Sequence, residues 1–354
     1  MSKFLSEKYS SLVPYVPGEQ PKDMEYIKLN TNESPFPPPE NVDKEVMNEV
    51  SRLQLYPDPE CTALNIKLAE TLNAAPDEIL ATNGSDEILN FAFMAFCDKD
   101  TPAVFPDITY GFYKVFAEIN NVPYSEIPLD RDFKINPDDY KGINKTVFIA
   151  NPNAPTGIIL KCSEIEEIIK SNPNNIVVVD EAYIDFGGES CVPLIHKYDN
   201  LLVTQTFSKS RSMAGARLGF GVAAKPLIRD LNAIKYSTNP YNINRLTVAA
   251  ALATLSNDKY NKDNCRIITE NRAYLSEELK KIGFILTDSR ANFVFAAHPE
   301  ISGKELYLKL KEKGILIRHF DTERISCYNR ITVGTKAQLD ALIAAVKEIL
   351  KIKD

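Results

Sequence analysis

Residues 201–221 read L-L-V-T-Q-T-F-S-K-S-R-S-M-A-G-A-R-L-G-F-G. The stretch opens with a β-type apolar run, Leu201, Leu202 and Val203, and turns polar from Thr204 to Ser212 with Lys209 in the middle. It closes on small residues around Arg217 before apolar character returns. Lysine is ordinarily a solvated surface residue. Here it lies between two apolar segments, in hydroxyl-rich surroundings, eight residues before an arginine. That pattern predicts a reactive amine beside an anion site.

On the N-terminal side, 176–179 is a β-branched run, Ile-Val-Val-Val, expected as a strand buried on both faces. It ends in Asp180-Glu181-Ala182-Tyr183. Another buried strand is expected over 145–150, followed by the turn-rich Asn151-Pro152-Asn153-Ala154-Pro155-Thr156-Gly157. A short strand is expected at 103–105, a helix at 110–119, and a helix at 164–170 capped by Ser163. Residues 218–223 supply a further strand. Strands alternating with helices predict a mainly parallel α/β sheet. Ligands in such sheets bind beyond the carboxyl ends of the strands, so Asn153, Asp180 and Lys209 should converge. Leu64, Leu68 and Leu72 mark a helix, and Ala81 to Glu87 forms a loop entering another. That helix start suits a phosphate, or Ser85 is a simple N-cap.

Prolines 14, 17, 21, 35, 37, 38 and 39 make residues 1–40 an arm in which Tyr15 and 27–30 should touch other parts. Tyr56, just before Pro57, is placed in a turn. Residues 41–257 form a large unit, with helices at 225–235 and 248–255. A long charged helix over 258–281 begins a smaller α+β unit, 258–354. Its expected strands are 284–286, 293–296, 315–317 and 330–333, and its expected helices 304–312 and 338–351. Arg318 and Arg330 flank those strands.

A length of 354 residues favours two domains. The net charge of −7 and dispersed Lys and Arg exclude a nucleic-acid backbone as a favoured partner. Six cysteines without a C-x-x-C pair point to free thiols in a reducing compartment, and three scattered histidines to no metal site. With no signal-like segment and no apolar run of about 18 residues, the expectation is a cytoplasmic protein without membrane contact.

Taken together, the motifs resemble the fold-type I pyridoxal-phosphate (PLP) aminotransferases, nearly end to end. Their carriers are P-Y-V-P-G (14–18), K-L-N-T-N-E-S-P-F (28–36), L-Y-P-D-P (55–59), N-G-S-D-E (83–87), N-P-N-A-P-T-G (151–157), D-E-A-Y (180–183), T-F-S-K (206–209), A-G-A-R-L-G (214–219) and R-I-T-V-G-T (330–335). The resemblance implies Lys209 as Schiff-base lysine and proton shuttle, and Asp180 as partner of the ring nitrogen. Tyr183 and Asn153 would hold the 3′-oxygen and Tyr110 would stack on the ring. Ser85, Asp86, Ser208 and Arg217 would bind the phosphate, together with Tyr56 from a second subunit of a homodimer. Arg330, Arg318 and Tyr15 would bind substrate. The implied reaction passes an amino group between histidinol phosphate and 2-oxoglutarate. Aromatic amino acids, or decarboxylation of threonine phosphate, are the alternatives for the same cofactor site. The sequence departs from the family's pattern at Ser210-Arg211-Ser212 and in the glycine-free P-F-P-P-P at 35–39.

Overall fold

The computed structural model describes residues 2–10 and 12–352. Regular strand structure begins in the arm with β1 (Ile27–Lys28). Seven strands follow: β2 (Ile79–Thr82), β3 (Ala103–Pro106), β4 (Tyr124–Ile127), β5 (Thr146–Ala150), β6 (Val177–Asp180), β7 (Leu201–Thr206) and β8 (Gly219–Ala223). They form one sheet in the order β2-β8-β7-β6-β5-β3-β4. Pairing is parallel from β7 across to β4, and β8 runs antiparallel to both of its neighbours. Strands β5, β6 and β7 are buried along their whole length, as continuous apolar runs in a sheet covered on both faces must be.

Alternation along the strands divides the apolar side chains between two cores. Val147, Ile149, Val177, Val179, Leu201 and Val203 face one of them, with α2 (Thr62–Leu72), α5 (Cys162–Ser171) and α7 (Arg245–Ser256) packed over it; α1 (Asn41–Val50) packs on α7. Phe148, Val178 and Leu202 face the other, covered by α3 (Gly84–Phe96), α4 (Phe112–Ile119) and α6 (Lys225–Thr238).

Helix α8 (Asp258–Lys281) leads to β9 (Ile285–Leu286), β10 (Phe293–Ala297), α9 (Gly303–Glu312), β11 (Ile315–Leu316), β12 (Arg318–His319), β13 (Tyr328–Thr332) and α10 (Lys336–Leu350). Strands β12-β13-β10-β9 make an antiparallel sheet with its own core, which includes Leu279, Val294, Leu310, Ile331 and Leu342. β11 instead pairs in parallel with β1, so the arm is stitched to this part of the molecule and Leu29 joins its core.

The start of α5 differs from expectation. Ser163 does not cap α5: the Glu164 carboxylate accepts the Lys161 N–H at 2.7 Å, which starts the helix at Cys162 and puts Ser163 inside it. Helix α1 and the strands β2 and β4 were not expected; β2 and β4 are four residues each and carry no β-branched run. Among the described residues no helix is long and apolar enough to cross a membrane, and no group of three His, Cys, Asp or Glu could hold a metal ion. All six cysteines are free.

Candidate active site

The carboxyl ends of β5, β6 and β7 open on a cavity of about 240 Å³. Lys209, Asp180, Tyr183, Tyr110, Ser85, Asp86, Ser208 and Arg217 all line it. Eight of the residues singled out from sequence therefore meet in one place.

Asp180, the last residue of β6, is buried. Its carboxylate accepts from the Tyr113 hydroxyl at 3.0 Å, the Ala182 N–H at 3.2 Å and the Thr204 hydroxyl at 3.4 Å. No cation is among these partners, and burial pushes its pKa up to about 6. Its neighbour Glu181 is buried on the other side of the strand, where Ser190, the Cys191 N–H and Gln205 donate to it; burial pushes it up to about 7. A carboxyl harder to ionise in the folded than in the unfolded chain gives stability that is full at low pH and is lost as pH rises through its folded pKa. Between about pH 5 and pH 8 the cofactor-free protein should therefore melt at progressively lower temperature. A melting temperature that climbs across that range would contradict uncompensated burial of these two groups.

Lys209 projects from the loop after β7, and its Nζ donates to the Thr31 carbonyl at 3.1 Å. Burial, helped by the nearby positive charge of Arg330, pulls its pKa down to about 8. An amine with that pKa is partly neutral, and so nucleophilic, at ordinary pH.

The anion corner is built from backbone. Asn83 precedes α3 but makes no capping bond, and Ser85 lies inside the helix, so the simple N-cap reading of Ser85 does not hold. Ser85 and Asp86, in the first turn of α3, line the cavity, and such a turn carries unpaired N–H groups at the positive end of the helix dipole. Arg217, held at φ +55°, donates to Asp86 at 3.1 Å and to Ser208 Oγ at 3.4 Å. A left-handed arginine is strained backbone of the kind found at binding sites. Gly219 permits the approach: a Cβ there would lie 2.4 Å from the Ser85 nitrogen. The Tyr110 hydroxyl donates to the other oxygen of Asp86 at 2.6 Å, which sets its ring across the cavity mouth.

Asn153 departs from expectation. Its amide donates to the Ile108 carbonyl at 2.9 Å and to Thr156 Oγ1 at 3.2 Å, and its oxygen accepts from Thr109 at 2.8 Å. These bonds turn the side chain into the wall, away from Lys209, and Ala154 lines the cavity instead. Arg211 stays outside too, ion-paired with Asp185 at 3.4 Å.

A second cavity, about 440 Å³, adjoins the first through Tyr110 and Ala154 and is lined by Arg330, Arg318 and Tyr15. The Arg330 guanidinium lies 5.4 Å from the Phe293 ring and 5.7 Å from the Phe320 ring and donates to the Asn30 carbonyl at 3.3 Å. Among the described residues no carboxylate pairs with it, and its Nε lacks a partner. Burial lowers its pKa from the usual arginine value. Arg318 donates to the Val16 and Pro17 carbonyls and so pins the arm. Tyr15 stacks on Phe112 at 4.2 Å. Tyr56 lines neither cavity: it is 77% exposed and stacks on Tyr241.

Sequence reasoning missed Tyr113, Thr31 and Asn32. The last donates to the Tyr183 hydroxyl at 3.0 Å. The signal available was three polar residues in a row, Asn30-Thr31-Asn32, after the apolar turn-in of β1.

The sequence model of the family described as aminotransferase class I and II matches residues 24–346. The chain belongs to that family. Members depend on PLP. This aminotransferase is 48% identical over 353 residues to the histidinol-phosphate aminotransferase of Brachyspira hyodysenteriae, covering 99% of this chain and 100% of that one. It is 47% identical to the histidinol-phosphate aminotransferase of Clostridium beijerinckii, covering 99% and 98%. Its fold matches the crystal structure of histidinol-phosphate aminotransferase from Sinorhizobium meliloti in complex with pyridoxal-5′-phosphate. The TM-score is 0.85, with 23% identity and coverage of 92% of each chain. The aminotransferase thus has the fold-type I α/β architecture.

Proposed function

We propose that this aminotransferase binds PLP and passes an amino group between histidinol phosphate and 2-oxoglutarate. The observation that carries the reading is the buried Asp180 carboxylate, which has no cation partner among the described residues and shares one cavity with the depressed Lys209 amine and the first turn of α3. Those are the three fixtures PLP needs: a carboxylate for its ring nitrogen, an amine for its aldehyde, and amides plus Ser208 and Arg217 for its phosphate. Tyr183 would hold the 3′-oxygen and Tyr110 the ring face. When bound, PLP supplies a conjugated ring that takes up the electron pair left when the substrate's Cα–H bond breaks. Lys209 Nζ, neutral once the substrate amine has displaced it, would take the Cα proton and return it at C4′, two atoms along beyond the nitrogen. Asp180 would hold the proton on the ring nitrogen.

Arg330 is a bidentate fork with no anion partner among the described residues, suited to a phosphate in one half-reaction and a carboxylate in the other. The names of the two relatives support histidinol phosphate as the amine. A homodimer is supported by Met47, Val50, Leu53, Leu55 and Tyr56, exposed apolar side chains on and just after α1. Tyr56 would then complete the phosphate site of its partner. The small unit's own core, with Val294, Ile331 and Leu342, supports a cofactor-holding unit (41–257) and a smaller unit (258–354), with an arm (1–40) that lends Leu29 to the latter. Free thiols throughout support a cytoplasmic setting.

Steady-state kinetics with 2-oxoglutarate and three amines test the assignment. The largest kcat/KM is expected with histidinol phosphate. An equal or larger value with phenylalanine, or carbon dioxide release from threonine phosphate, would replace it with the corresponding alternative.

A further inference from the structure

Three consecutive residues of the arm each meet a different residue of the site. The Asn30 carbonyl accepts from Arg330, the Thr31 carbonyl from Lys209, and the Asn32 side chain meets the Tyr183 hydroxyl. The first two contacts are made by backbone. The third is made by a side chain, so its chemistry depends on which residue stands there.

Asn32 is 1% exposed and has φ +56°, a conformation asparagine tolerates better than most residues. Its backbone N–H donates to Thr332 Oγ1 at 2.9 Å, its carbonyl accepts from Asn292 Nδ2 at 2.9 Å, and its side-chain oxygen accepts from Thr332 Oγ1 at 3.1 Å. A hydroxyl carries one proton. The Thr332 oxygen already receives the Asn32 N–H, so its own proton goes to an acceptor, and the acceptor it meets is Asn32 Oδ1. This orients the carboxamide, with oxygen toward Thr332 and NH₂ toward Tyr183.

An amide NH₂ is a donor only. The Tyr183 oxygen therefore accepts at 3.0 Å and must send its proton elsewhere. Among the described residues nothing takes it, and Tyr183 lines the cavity that holds Lys209. Asn153 is turned into the wall, so it does not share the task.

We propose that Asn32, locked by Thr332, is a positioning residue that aims the Tyr183 hydroxyl proton into the cavity, at the 3′-oxygen of PLP. The inference rests on the PLP reading above. A proton donated to that oxygen draws negative charge away from the neighbouring imine nitrogen on Lys209, which then holds its proton less tightly. The pH at which the resting holoprotein changes colour is thereby lowered.

The test is a spectrophotometric pH titration of holoprotein without substrate. In Asn32→Asp the new carboxylate accepts the Tyr183 proton and withdraws it from the cavity. The colour-change midpoint should rise by about 1 pH unit, the worth of one hydrogen bond to a charged oxygen. In a Tyr183→Phe background the same substitution should move the midpoint by less than about a third as much, because Asn32 acts through the hydroxyl. Thr332→Val should raise the midpoint in the same direction, and Thr332→Ser, which keeps the orienting proton, should leave it in place. Equal shifts with and without the Tyr183 hydroxyl would mean that the added charge acts directly, and would overturn the proposal. So would an unmoved midpoint in both Asn32→Asp and Thr332→Val. A wild-type protein that stays colourless with PLP would overturn the cofactor reading itself, and this inference with it.

Discussion

Lys209→Ala is expected to lower kcat by roughly 10⁴-fold or more, since it removes both the covalent anchor of the cofactor and the base that moves the Cα proton. The fold should not suffer. Burial beside Arg330 disfavours the charged amine, pulling it down to about 8, so its removal relieves a cost. Against that relief stand the hydrogen bond from Nζ to the Thr31 carbonyl at 3.1 Å, the attraction of Glu33 and Asp86, and the Tyr183 ring 5.9 Å away, none of which the alanine keeps. Pre-steady-state and steady-state kinetics beside a thermal melt would check both halves. Residual turnover within about 100-fold of wild type would place the base elsewhere.

Asp180→Asn is expected to act in opposite directions on catalysis and on stability. The amide keeps the shape of the carboxylate but cannot hold a cationic ring nitrogen, so kcat should fall by about 10² to 10⁴ and PLP should bind more weakly. In the cofactor-free protein at pH 8 the same change removes a buried carboxylate whose pKa is pushed up to about 6. Stability should then rise, by up to about 3 kcal/mol on the linkage of pKa to folding. Denaturant titrations of apoprotein and holoprotein at that pH separate the effects. A loss of stability in the cofactor-free variant would show that Tyr113, Thr204 and the Ala182 N–H already compensate the charge.

The core strands were legible because apolar runs such as Ile176 to Val179 and Leu201 to Val203 have no other stable place than the middle of a covered sheet. The long helix over 258–281 was legible to the residue. Asp180, Lys209 and Arg217 stood out because charged residues at the ends of buried strands need a chemical reason. The direction of a turn side chain was not legible. Asn153 and Ala154 are adjacent, and which of them faces the cavity is decided by Ile108 and Thr109, more than forty residues away. The arm was hidden for the same reason. Asn32 finds its partners at residues 183, 292 and 332, contacts that no local periodicity encodes. The roles of Arg318 and Tyr15 hinge on the same arm, which the former pins through two carbonyls.

The arm's contacts differ in how they constrain heredity. Thr31 reaches Lys209, and Asn30 reaches Arg330, through carbonyl oxygens that every amino acid possesses. Those two links survive exchange of the side chain so long as the backbone keeps its path between β1 and Thr332. The link to Tyr183 has no such latitude, since it needs a short amide that also accepts a left-handed backbone. Within three neighbouring codons, then, two links to the site are indifferent to the side chain and the third is tied to its chemistry.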